Sequence, residues 1–308
     1  NKTSIELRKS TIESYGNVLL AKESVRIINK NIKIVENTLN EVIKIYENGL
    51  TEEENVEQLQ ITLSGLESNL KNGLLQQKLA SQLLNLILGL EINQELNLTE
   101  NFEDLIDKSI DISIISKTSD TKKSADYIIK NNDKTSKELL VFYEKTKLLP
   151  TLNAFLNTGY QGYSDQFNFT NKSQKWYGST IFGLKMDIPI LSSGDQLSKI
   201  TRAKIELEKS NLQLDELEKK LGIETTLAKG NYQFAIEDYY NKKRNLELAE
   251  RIEKKNQIKF TEGIASSFDL RDAQTQLYKS QQSYLLSMLS IINSKAKLES
   301  LTSEISKN

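Results

Sequence analysis

Histidine and cysteine are both absent from the 308 residues. That excludes zinc sites of the usual kind, His- or Cys-based nucleophilic catalysis and any disulfide framework. Carboxylates, lysine, serine and tyrosine remain, so an enzyme is disfavoured without being removed, and no cofactor or metal is expected. No charge of one sign prevails either: 41 Lys and Arg stand against 42 Asp and Glu. The net charge of -1 leaves no basic surplus for nucleic acid. Only two prolines occur, Pro150 and Pro189, and such scarcity favours long unbroken helices. Long apolar runs are missing too. The best, "LLNLILGL" at Leu83 to Leu90, falls short of the roughly 18 to 20 residues of a transmembrane helix. The polar opening "NKTSIELRKS" is no signal peptide, so a chain of the cell envelope with this start is expected to be mature or incomplete.

What is present is mostly helix-favouring sequence. One run extends from Asn1 to about Glu47 and a second from Glu52 to about Leu90. "ENGL" lies between them, with Gly49 placed for a turn that needs positive φ. The last third repeats this layout, from Asp195 to Thr261 and from Phe268 to about Ile305, broken at "EGIASS". At about 1.5 Å per residue the Asp195 to Thr261 run would span roughly 100 Å, a length only a bundle, coiled coil or solenoid can use. Its apolar residues form a thin heptad-like seam of Ala203, Leu207, Leu214, Leu217 and Leu221. Periodicity alone favours an ordinary antiparallel coiled coil.

The middle departs from that reading. After a weakly structured zone (93–119) and a helical piece at about Thr121 to Lys147, Pro150 introduces "TLNAFLNTGYQGYS". Leu152, Ala154, Leu156 and Tyr160 fall on one face, and Thr151, Asn153, Asn157 and Gln161 on the other, with Phe155 as the exception. In "WYGSTIFGLKMDIPIL", Trp176, Phe182, Leu184, Met186 and Ile188 share a face opposite Tyr177, Lys185 and Asp187. Period two over such a length predicts strands, and "DQFNFTNKSQ" joins them as a hairpin. A lone hairpin is marginal in water. Strands of this length, apolar on one side and with Tyr160, Tyr163 and Trp176 near the loop, suit a tilted outer-membrane barrel with an aromatic girdle. The chain offers no other strands, so other copies would have to complete the barrel.

The two helical pairs are one motif written twice. At an offset of 214 residues Tyr46 meets Phe260, Gly49 meets Gly263, Leu50 meets Ile264, Val56 meets Leu270, Gln60 meets Gln274 and Leu63 meets Leu277. Upstream, Gly16 and Asn17 meet Gly230 and Asn231. A shared turn glycine with matching registers on both flanks marks an internal repeat.

With "FTEGIASSFDLRDAQTQL" in the second repeat, a degraded "YENGLTEEENVEQLQITL" in the first, "LLPTLNAFLNTGYQGYS" and "WYGSTIFGLKMDIPILSSGDQLSKITRAK", the chain resembles the TolC-like outer membrane efflux proteins. The resemblance covers essentially the whole chain. It implies a mainly α fold with a small β part: long coiled-coil hairpins forming a periplasmic tunnel, and a β-hairpin contributing to a trimeric transmembrane β-barrel. The expected divisions are a first helical hairpin (1–92), an equatorial region (93–149), a membrane β-hairpin (150–191) and a second, longer helical hairpin (192–308). Family members carry two strand pairs per chain, so the first pair is expected to be missing before Asn1. The implied partners are two further copies, a periplasmic adaptor, an inner-membrane pump reached through it, and outer-membrane lipid. The implied role is export as the outer component of a tripartite efflux or type I secretion system.

Particular residues follow from the resemblance. Asp269, Asp272 and Phe260 would form the periplasmic gate; Asn55 and Gln58 take the aspartate places in the first repeat. The tips Gly49, Leu50, Thr51, Gly263, Ile264 and Ala265 would dock the adaptor. Leu152, Ala154, Leu156, Tyr160, Trp176, Phe182, Leu184 and Met186 would face lipid. Other readings stay open: helix-start carboxylates are common on solvated surfaces, apolar tip residues often staple their own turns, and Ser266 reads as a plain N-cap. The rival for the whole chain is a soluble or surface-attached coiled-coil scaffold or adhesin.

Overall fold

A computed structural model describes residues 2–116, 120–167, 170–190 and 194–302. The elements in chain order are α1 (Lys2–Glu47), α2 (Glu53–Leu88), α3 (Phe102–Ser109), α4 (Ser113–Ser116), a 3-10 turn (Thr121–Lys123), α5 (Ala125–Thr146), β1 (Thr151–Gly162), β2 (Trp176–Asp187), α6 (Asp195–Thr261) and α7 (Ser267–Thr302). The expected ends near Leu191 and Ile305 fall outside the described residues. The chain forms two compact units, 1–126 with 218–308, and 127–217.

In the first unit α1 packs along both α2 and α7. Each helix buries a thin stripe, as its spacing dictates. On α1 the stripe includes Ile32, Val35, Leu39 and Val42; on α7 it includes Leu270, Leu277, Leu285, Met288 and Ile292. Two apolar clusters result. One gathers Leu19, Phe102, Ile106, Tyr232, Tyr239, Met288, Ile291 and Leu298. The other takes residues from all four long helices, among them Val35, Val42, Val56, Leu59, Phe260 and Leu270. Because Val42, Val56, Phe260 and Leu270 flank the two turns, the tips of the hairpins lie side by side in this unit.

Part of the zone expected to be weakly structured is helical. Phe102, Ile106 and Ser109 fall on the buried side of α3, which packs on α1 and α7. Glu103 and Asp104 in its first turn and Lys108 in its last suit the helix dipole. Tyr232 of α6, fully buried, holds the exit of this helix. Its hydroxyl donates to Ser109 O at 2.5 Å and accepts the Asp111 N–H at 2.9 Å.

In the second unit α5 meets the start of α6 through polar contacts: Gln196 Nε2 donates to Glu144 O at 2.7 Å, and Ser210 pairs with Asp133 at 3.3 Å. β1 and β2 pair antiparallel, Leu152 opposite Met186, Ala154 opposite Leu184 and Leu156 opposite Phe182. The apolar residues thus share one face, and that face is exposed along its length. Phe155, the exception to the alternation, sits opposite Gly183 with its ring so close that a Cβ there would lie 2.7 Å from it. An aromatic ring covering a cross-strand glycine explains the break in pattern.

Tyr232→Phe would strip the Ser109 carbonyl and the Asp111 amide of their shared partner. We expect a loss of about 1–3 kcal/mol, read in urea denaturation, with the amides after α3 losing hydrogen-exchange protection first.

Candidate functional site: the paired hairpin tips

Both turns are built the same way. Gly49 (φ 71°) and Gly263 (φ 72°) occupy the left-handed region, which costs glycine nothing and other residues a steric penalty. Each glycine N–H donates three residues back, Gly49 to Tyr46 O at 2.8 Å and Gly263 to Phe260 O at 3.0 Å. The next N–H reaches five back, Leu50 to Ile45 O at 3.1 Å and Ile264 to Lys259 O at 2.7 Å. The repeat seen in the sequence is therefore a repeat of hydrogen bonding. Leu50 and Ile264, directly after the glycines, are 78% and 71% exposed, so neither staples its own turn. Ala265 instead packs on the tip cluster.

Asp269 and Asp272 lie in the first turns of α7 and both are exposed. Asp269 closes a capping box. Its Oδ2 accepts the Ser266 hydroxyl at 2.6 Å and the Ser266 N–H at 3.0 Å, while its own N–H donates to Ser266 Oγ at 3.2 Å. The Ser266 hydroxyl, then its N–H, hold the Asp269 carboxyl below its ordinary range, with Lys259 assisting and desolvation opposing. Ser266 is thus the N-cap that its position suggested. Asp269 has this structural role in addition to whatever it does as an exposed charge.

Phe260, expected at the gate, is buried while the two carboxylates are exposed. At 8% exposure it belongs to the tip cluster with Val56 and Leu270, a packing position created because α6 must close against α2 and α7 just before its turn. Its first-repeat counterpart Tyr46 is exposed.

Arg271 was not anticipated. It lies between the two aspartates in sequence, yet its guanidinium stacks 4.9 Å from the centre of the Phe268 ring and donates to Gln58 Oε1 at 3.0 Å. Gln58 is the residue that the repeat places opposite Asp272. One hydrogen bond therefore links the hairpins, one residue off the aligned positions. An arginine one turn inside a helix start was the available signal.

Two hairpins of long helices sharing one wall, with an amphipathic β-hairpin between them in the chain, define the architecture of a helical-tunnel channel protomer. The family model for outer membrane efflux proteins matches residues 141–304, more than half of the chain, and the chain belongs to that family. Its fold is similar to CusC, whose structures describe transmembrane channel formation: TM-score 0.79, 17% identity, 98% of this chain and 69% of CusC covered. The outer membrane channel MtrE in its open state, from Neisseria gonorrhoeae, gives 0.78 at 13% identity, covering 98% of this chain and 66% of that one. The Campylobacter jejuni channel CmeC gives 0.74 at 16% identity, covering 98% and 63%. The chain spans about two thirds of the length of these structures. No curated protein matches the sequence significantly. Family and fold are those of channel proteins and not of enzymes. Among the described residues no helix is long and apolar enough to cross a membrane, and no cluster of three acidic metal-ligand residues occurs.

Ser266→Ala removes the hydroxyl that both donates to and accepts from Asp269. The first-turn amides of α7 should exchange faster and the Asp269 carboxyl should titrate nearer its ordinary range, both read by NMR. Because the Asp269 value is lowered in the fold, its contribution is present above the ordinary carboxyl range. That contribution is lost as pH falls through the lowered value, so acidifying the wild type should reproduce the faster exchange.

Proposed function

We propose that the chain is one protomer of a trimeric outer-membrane duct, the outer component of a tripartite efflux or type I secretion system. The observation that carries this is the exposed apolar face of β1 and β2 on a hairpin whose outer edges are unpaired among the described residues. Backbone edges and an apolar face of this kind are stable when neighbouring strands close a barrel and lipid covers the outside. Leu152, Ala154, Leu156, Tyr160, Trp176, Phe182, Leu184 and Met186 would be the lipid-facing set. A scaffold or adhesin would leave this face without a solvent.

The tunnel wall would be made of the helical hairpins, their polar faces lining water. Three copies of Asp269 and Asp272 would concentrate negative charge at the mouth, favour cations and restrict passage until the tips separate. Leu50 and Ile264, exposed on glycine turns that lie side by side, would be the apolar knobs on which a periplasmic adaptor seats, with Thr51 and Ala265 flanking them. The substrate class is left open by this reading, since nothing in the tips selects one.

The test is single-channel conductance in planar bilayers. An Asp269→Ala, Asp272→Ala double variant should conduct more and prefer cations less than the wild type; unchanged conductance and selectivity would refute the gate. Leu50→Asp with Ile264→Asp should leave conductance alone and weaken adaptor binding at least about tenfold; undiminished binding would refute the docking tips.

A further inference from the structure

Along the apolar cluster at the tips and just beyond it, polar residues interrupt the buried stripes, Thr38 between Val35 and Leu39 and Gln274 between Leu270 and Leu277. On α1 the stripes carry Asn31 and Thr38, on α6 Glu253, and on α7 Gln274, all buried. Hydrogen bonds tie these helices together at two points, two turns apart on α1. Asn31 Nδ2 donates to Gln281 Oε1 at 2.8 Å, and Gln257 Nε2 to Thr38 Oγ1 at 3.2 Å. Gln274, 1% exposed, has neither its Nε2 nor its Oε1 hydrogen-bonded. Glu253, 7% exposed, lies on the buried stripe of α6 with Ala249 and Phe260, one turn before the Gln257 that reaches Thr38. A buried carboxylate is expensive unless it is paired with a cation or neutralised. Among the described residues no ion pair is formed by Glu253, and the like charge of Glu250, on its own helix, acts on it. On α7 the charge of Glu253, after burial, helps to raise the Tyr278 hydroxyl, and Thr38 on α1 is uncharged.

We propose that Glu253 makes this layer a proton-operated hinge in the tunnel wall: neutral, it lets α6, α7 and α1 close around the layer; ionised, it draws water in and loosens the α6–α7 hairpin on its tip side. Burial first, and Glu250 second, raise the Glu253 carboxyl above its ordinary range. Since the packed form holds the proton more tightly than the open form, its stability is greatest at low pH. It falls as pH rises from the ordinary carboxyl range through the raised value. The partly satisfied layer is the weak point of the wall on general grounds as well, because unpaired buried polar groups favour local opening. That loosening would ease separation of the tips is a consequence that rests on the duct reading; the hinge itself does not.

Hydrogen exchange on the full-length protein, corrected for the intrinsic rate at each pH, tests the hinge without any channel assay. For the amides of 249–280, opening in the wild type should increase with pH, approaching the limit of about tenfold per pH unit set by one proton. Glu253→Gln, neutral and nearly isosteric, should hold the low-pH protection at every pH. A wild type with flat protection, or a Glu253→Gln variant that keeps the wild-type pH profile, would overturn the proposal. Should that variant fail to assemble, Glu250→Gln decides: loss of the repelling charge should shorten the pH window of increasing opening from its alkaline end, and an unaltered window would equally overturn it.

Discussion

The long helices of this protein are mostly polar around their circumference, and each carries only a narrow buried seam. Such a helix gains little from a single partner and cannot nucleate a globular core. It is stable when neighbours lie along more than one side, which is how α1 lies against both α2 and α7. Other features follow from that requirement. The two hairpins become one wall instead of two independent arms. Their tips come side by side because residues flanking both turns share one cluster. The glycine turns then repeat, since each hairpin must reverse within a few residues without disturbing a register its neighbour depends on. The polar circumference left over is suited to water, as the wall of an aqueous tunnel requires.

The β-hairpin meets the same problem in another solvent. Its apolar face pairs residue with residue across the strands, from Leu152 opposite Met186 to Leu156 opposite Phe182, and has nothing to cover it within its own sheet. In the proposed trimer its edges would join strands from other copies and its face would meet lipid. Seam and strand face are thus two versions of one constraint, surfaces completed by association. Variation along the seam matters for the same reason. Apolar stretches fix the wall, and the proposed hinge lies where the buried polar residues Glu253 and Gln274 interrupt them.

Much of this was legible in the sequence because periodicity records which side of an element is buried. The turns at Gly49 and Gly263, the ends of α6 and the strand face could all be read residue by residue. Phe155 could not, since its reason is Gly183 across the sheet, a register fact and not a local one. The helix at Phe102 was hidden in a short segment whose two apolar anchors become meaningful only against α1 and α7. Phe260 was placed at the gate by the resemblance, and the repeat, which reports position along a helix but not which side of the wall a residue takes, could not show its burial. Its counterpart Tyr46 is exposed while Phe260 is buried. Gln60 and Gln274 are a similar pair, identical and aligned, yet only Gln274 is buried. Glu253 and Arg271 looked like ordinary charged residues of solvated helices, and only packing distinguishes the buried carboxylate and the arginine that bridges two hairpins.

The proposed duct depends on association in a membrane-like solvent. Size exclusion with light scattering on the full-length protein, with and without detergent, measures this most directly. A trimer that depends on detergent is the predicted result. A monodisperse monomer or dimer, soluble without detergent, would contradict the barrel and return the chain to the coiled-coil scaffolds.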